Sequence, residues 1–184
     1  MKLPKIVADW LSWPRFLNGA QDIWFWAVIA ATALGLELGA LFYQHVLDIL
    51  PCELCIYVRV WLVGLFFVSL LAMYFKRWLF TRILSLVAAF VLSIGLANET
   101  WNLFVVEYGI GNGGACSFFA NFPSWAPLDK WMPFMFEVQE LCQATPEIIF
   151  GITMTHSLIL VCAFLITLIS IATLGALISL FAKK

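Results

Sequence analysis

The chain has 184 residues, of which 64% are hydrophobic and 11% charged, and its net charge is -1. A soluble domain carries about 25% charged residues, so this composition excludes a water-soluble globule and points to a lipid bilayer. The net charge says nothing about nucleic acid, and no basic run suggests it as a partner.

In chain order, Lys2, Lys5 and Arg15 precede a first apolar run at about 24–45. Its AVIAATA segment has small residues at cleavage-like spacing, but the run starts too late, is too long and contains Glu37 for a signal peptide. A short loop at 46–55 leads to a second run at 56–75 and a basic turn with Lys76, Arg77 and Arg82. A third run at 81–100, a long connection at 101–151 and a fourth run at 152–180 follow, and Lys183 and Lys184 end the chain. Each run reaches the roughly 20 residues that a spanning helix needs. The runs are continuous rather than alternating, and only a helix satisfies its own backbone in lipid without closing a barrel. The expected fold is an all-α membrane protein forming one domain over 1–184, a bundle of four transmembrane helices whose long outer loop carries a short interfacial helix.

Eight of the ten basic residues mark one side. The positive-inside tendency makes that side cytoplasmic, with both termini there and the 46–55 and 101–151 loops outside. In the long loop, Trp125, Leu128, Trp131, Met132 and Met135 recur at helical spacing in a stretch too short to span. Pro123, Pro127 and Pro133 break it into short pieces, and a compact loop with its own apolar cluster is the alternative.

This topology sorts the five cysteines. Cys162 falls within the fourth helix as a small apolar filler, while Cys52, Cys55, Cys116 and Cys142 face the oxidising side. Four thiols allow three connectivities, and local spacing favours Cys52–Cys55 with Cys116–Cys142. A bridge across 116–142 alone would serve as a loop staple, but a CxxC ring removes little chain entropy and its thiols are characteristically acidic. Redox chemistry explains that pair better. Zinc held by four thiolates is a second alternative, disfavoured because the second pair is widely spaced.

A second helix beginning near Cys55 or Ile56 would aim its N-terminal amides at the Cys55 sulfur. Arg59, four residues on, would then lie on the same stripe. A cation in a spanning helix is costly and suggests function, although a long basic side chain can also snorkel to the headgroups. With no CxxCH, no nucleotide-binding glycine motif and only two histidines, a lipid-soluble quinone is the economical electron acceptor, held by Arg59. Glu37 is the other expensive group, and Glu99 is placed to pair with Arg59. His45 and His156 are read as packing or interfacial residues.

The stretches LELGALFYQHVLDILPCELCIYVRV at 36–60 and CSFFANFPSWAPLDKWMPFMFEVQELC at 116–142 resemble the bacterial inner-membrane disulfide bond formation protein B family. The likeness extends over about 24–180 with the four helices in matching order. Vitamin K epoxide reductase-like proteins also combine four helices with a CxxC, but in the reverse order along the chain. The resemblance implies a protein-dithiol:quinone oxidoreductase, monomeric, that reoxidises a periplasmic thioredoxin-like dithiol oxidase (DsbA-like) and delivers two electrons to ubiquinone or menaquinone. It implies that Cys116 receives the partner's cysteine in a mixed disulfide, with Cys142 as its loop mate. It further implies that Cys52 exchanges with the loop pair, and that Cys55 contacts the quinone beside Arg59. The chain departs from the family pattern where an acidic residue often precedes the arginine and a histidine follows the acid of the third helix. Val58 and Thr100 stand there instead.

Overall fold

The computed structural model describes residues 23–75, 78–110, 117, 119–142, 147–149 and 152–182. Four long helices form the expected bundle: α1 over Ile23–Val46, α2 over Glu53–Tyr74, α3 over Leu79–Glu107 and α6 over Met154–Ala182. All four are long and apolar enough to cross a membrane. Neighbours in the chain are neighbours in space, α1 against α2, α2 against α3 and α3 against α6.

The buried residues of α1 are Trp26, Ile29, Ala30, Ala33, Glu37, Ala40 and Gln44, steps of three and four that draw one stripe along a helix. This stripe meets Val58, Leu62 and Leu65 of α2, and the core continues through Leu96 of α3 to Leu165 and Ile169 of α6. Outside the stripes the helices remain apolar: Leu38, Phe42, Phe67, Phe80 and Leu160 are all more than half exposed. Apolar residues all round a helix are what lipid contact requires. At the α2–α3 crossing, Gly95 lies under the Trp61 indole, where a Cβ would come within 2.7 Å of the ring. Glycine is required for that approach.

Helix α3 runs seven residues beyond the expected end at 100, because nothing between Thr100 and Gly109 breaks it. It stops at Gly109, whose φ is +61°. The Ile110 N–H donates to the Val105 carbonyl and the Gly109 N–H to that of Val106, which together form a Schellman cap.

The outer loop contains two single-turn helices, α4 over Leu128–Trp131 and α5 over Pro133–Phe136, separated at Met132. Proline breaks the expected interfacial helix here as anticipated. Trp125, Trp131 and Phe134 point outward rather than into a private cluster, while Phe136 is buried. A short antiparallel ribbon, β1 over Glu147–Ile149 and β2 over Ile152–Thr153, leads into α6 and was not expected from the sequence.

Candidate redox site at the outer end of the bundle

The site begins with the helix start. α2 starts at Glu53 rather than at 56, and Cys52 is its N-cap: the Cys55 N–H donates to the Cys52 sulfur across 3.4 Å. The expected helix start near Cys55 or Ile56 is thereby moved back, and Cys55 remains at the positive end of the helix. A sulfur at the cap position accepts an otherwise unpaired amide, and the acidic Glu53 suits the positive helix end, so the helix extends one turn further back. Cys55 lies within the first turn, its sulfur 2.8 Å from that of Cys52. Both thiols are free, and closing them into a disulfide requires a movement of less than about 1 Å. The hydrogen bond with Cys55, followed by burial, holds the Cys52 thiol well above its ordinary pKa.

The two sulfurs of the motif have different surroundings. Cys52 is buried and forms a parallel bridge with Glu140 of the outer loop. The Gln139 and Glu140 amides both donate to the Pro51 carbonyl, at 3.0 and 3.3 Å. Cys142 follows two residues later and is disulfide-bonded. Cys116 lies outside the described residues. Cys55 faces the other way and lines a cavity of about 180 Å³ among α1, α2, α3 and α6.

Arg59 lines the same cavity and is buried. One terminal nitrogen of its guanidinium donates to the Gln44 Oε1 at 2.6 Å and to the Met135 carbonyl at 2.8 Å. The other reaches the Ala40 carbonyl at 3.3 Å. All three acceptors are neutral, and the side chain is anchored inward rather than snorkelling to the surface. The expected pairing with Glu99 is not formed; Glu99 accepts from Asn102 instead. Glu37 is the carboxylate that shares an electrostatic interaction with Arg59, and both its oxygens are buried without a hydrogen bond.

The cavity wall on α1 includes Gly35 and Gly39, and a Cβ built on either meets nothing within 4 Å. Bare backbone therefore faces the space. A cavity of about 150 Å³ accepts a benzene ring, so one of this size accommodates a six-membered ring against Cys55 and Arg59. The open space and the buried donor suit a flat acceptor with carbonyl oxygens. Among the described residues, no three His, Cys, Asp or Glu side chains gather as a metal site.

Other expected residues lie apart from this chemistry. Cys162 is buried in the core beside the Thr100 hydroxyl. His45 donates to the Phe134 carbonyl, and His156 bridges Thr153 and Tyr108, so both histidines brace the structure. Sequence reasoning missed Gln44, whose buried amide holds Arg59 and whose Nε2 donates to Gln139. Its signal was a polar side chain within a spanning run, where such groups are expensive. It also missed Gly35 and Gly39, a pair four residues apart on one helix face.

A bundle of membrane-spanning helices with a CxxC pair at its outer end and a disulfide-bonded loop cysteine nearby defines a membrane thiol oxidoreductase. The family model described as "Disulfide bond formation protein DsbB" matches residues 22–172. Proteins named disulfide bond formation protein B are similar over most of their length. That of Shewanella denitrificans is 32% identical over 77% of this chain and 81% of its own. That of Aeromonas hydrophila is 31% identical over 83% and 88%, and that of Yersinia pestis is 38% identical over 64% and 66%. The chain belongs to the DsbB family of disulfide-forming membrane oxidoreductases.

Proposed function

We propose that this protein oxidises a periplasmic thioredoxin-like dithiol oxidase of the DsbA kind and passes two electrons through Cys116–Cys142 and Cys52–Cys55 to a membrane quinone, ubiquinone or menaquinone. The observation that carries this reading is the division of the CxxC pair, with Cys52 against the loop strand that leads to Cys142 and Cys55 on the cavity wall with Arg59. The CxxC pair stands at the start of α2, and in sequence the basic residues of 76–82 follow its other end, which supports a bacterial inner-membrane orientation with both termini cytoplasmic and the redox loops periplasmic.

Each transfer is a thiol-disulfide exchange, in which a thiolate attacks a disulfide sulfur and access matters as much as acidity. Cys116 takes the partner's cysteine, and Cys142 is the thiol released. Cys52, placed against the loop, is the sulfur that exchanges with the loop pair, and Cys55 presents electrons to the cavity. Bound quinone supplies the two-electron sink that draws the exchange forward. Arg59 and Gln44 orient the acceptor's oxygen, and the apolar lining keeps water from the Cys55 sulfur.

Purified protein given a reduced thioredoxin-like oxidase should bleach a soluble quinone, one quinone per partner disulfide formed. Disulfide formation that continues at the same rate with no quinone or other electron acceptor present would refute the proposal.

A further inference from the structure

The outer loop is fastened to the CxxC segment at two places, only one of which lies on the Cys142 side. At the other, Glu53, the first of the two residues between the cysteines of the motif, is buried, and each of its oxygens accepts a hydrogen bond. Oε1 takes the Tyr57 hydroxyl at 3.0 Å, and Oε2 takes the backbone N–H of Ser117, the residue after Cys116, at 2.6 Å. The Tyr57 oxygen in turn accepts the Asn121 N–H at 2.8 Å. The Tyr57 ring packs edge-on against Phe122, which packs against the buried Phe136 of α5. Glu53 and Tyr57 are one helical turn apart, so a single face of α2 holds Ser117, Asn121 and Phe122 of the loop.

We infer that Glu53 and Tyr57 form a latch that holds the Cys116-flanking end of the loop in register with the CxxC pair and sets the rate at which the two cysteine pairs exchange. Both are positioning residues. The inference rests on the relay proposed above. In the latched step, a thiolate of the reduced loop pair attacks the Cys52–Cys55 disulfide, forming a mixed disulfide. The remaining loop thiol then displaces the CxxC sulfur. The loop pair is oxidised, the CxxC pair is reduced, and two electrons and two protons pass from one pair to the other. Such an attack depends on the time two sulfurs spend aligned within reach, and a connection of about 50 residues would otherwise spread its cysteines over many placements. Fixing the loop next to Cys52 raises that fraction.

Glu53 acts here as a pure acceptor for two donors. A glutamine has one acceptor oxygen and no charge, so in E53Q only one of the two donors keeps an acceptor oxygen and both contacts lose the carboxylate's charge assistance. Y57F removes the hydroxyl shared by Glu53 and Asn121 and keeps the ring on Phe122. Full-length oxidised protein is mixed, without quinone, with a reduced thioredoxin-like oxidase, then quenched in acid and alkylated. The appearance of free Cys52 and Cys55 thiols and of the Cys116 mixed disulfide is read by mass. In a second arm, pre-reduced protein is mixed with a soluble quinone and its bleaching followed.

The latch predicts that both variants reduce Cys52–Cys55 about tenfold more slowly, the reduced loop pair accumulating, while the quinone arm is unchanged. An equal loss in both arms, as from general loosening of the fold, or no loss in the first arm would overturn it. If E53Q does not fold, Y57F alone decides. Failure of the wild-type chain to reduce Cys52–Cys55 would sink the relay together with the latch, whereas an active wild type with undisturbed variants would sink the latch alone.

Discussion

Replacing Arg59 by lysine separates the binding role of the guanidinium from its charge. The two terminal nitrogens of Arg59 donate in different directions, one to Gln44 and Met135 and the other to Ala40. A lysine has a single nitrogen on a flexible stem, so it can satisfy the first two acceptors but not the third. The lost bond is long, and its removal should cost the fold about 1 kcal/mol. The loss to an acceptor in the cavity is larger, because a planar donor fork is replaced by a point charge already committed to protein oxygens. One charge-assisted hydrogen bond is worth about 1.5–3 kcal/mol, a rise of roughly 10-fold to 150-fold in apparent KM for quinone. Arg59→Ala breaks all three anchors, strands buried acceptors and should destabilise the protein by about 3–5 kcal/mol in addition. The assay pairs quinone titration at saturating reduced partner with trapping of the Cys116 mixed disulfide. For Arg59→Lys, mixed-disulfide formation should hold while KM rises. An unchanged KM in both variants would show that Arg59 is a structural anchor only, and a parallel fall in mixed-disulfide formation would place its role in the loop.

Cys55→Ser should abolish electron delivery to quinone while the loop pair still captures the partner, seen as a trapped mixed disulfide on a non-reducing gel; quinone turnover at the normal rate would refute the assignment of Cys55. Gly39→Leu puts a side chain into open space beside the cavity, so thermal stability should hold while apparent KM for quinone rises by about tenfold or more, since the filled volume excludes a ring. Gly95→Ala, by contrast, drives a methyl into the Trp61 indole and should lower stability by about 1–3 kcal/mol in a denaturation series with little effect on KM.

Much of this architecture could be read from local chemistry. Four continuous apolar runs can only be helices in lipid, and their neutral faces did not have to be matched to one another for the bundle to be foreseen. Cys52, Cys55 and Arg59 were legible as a site because thiols and a cation are conspicuous in a spanning sequence. Glu53 and Tyr57 were not, since an acid and a phenol near a helix start are ordinary in any chain. Their meaning lies in Ser117 and Asn121, more than 60 residues away.

What the sequence alone determined was therefore the class of fold, the sidedness of the charges and the presence of redox-capable thiols, all set by residue type and short-range spacing. The tertiary structure decided what each group meets. It moved the helix start back to a cap at Cys52, turned Cys55 toward the cavity, and exchanged the expected Glu99 partner of Arg59 for three neutral oxygens. Such contacts depend on helix rotation and on loop closure over long stretches of chain. A one-residue shift in a helix turns its side chains by about 100°, and no local pattern in an all-apolar helix specifies that angle.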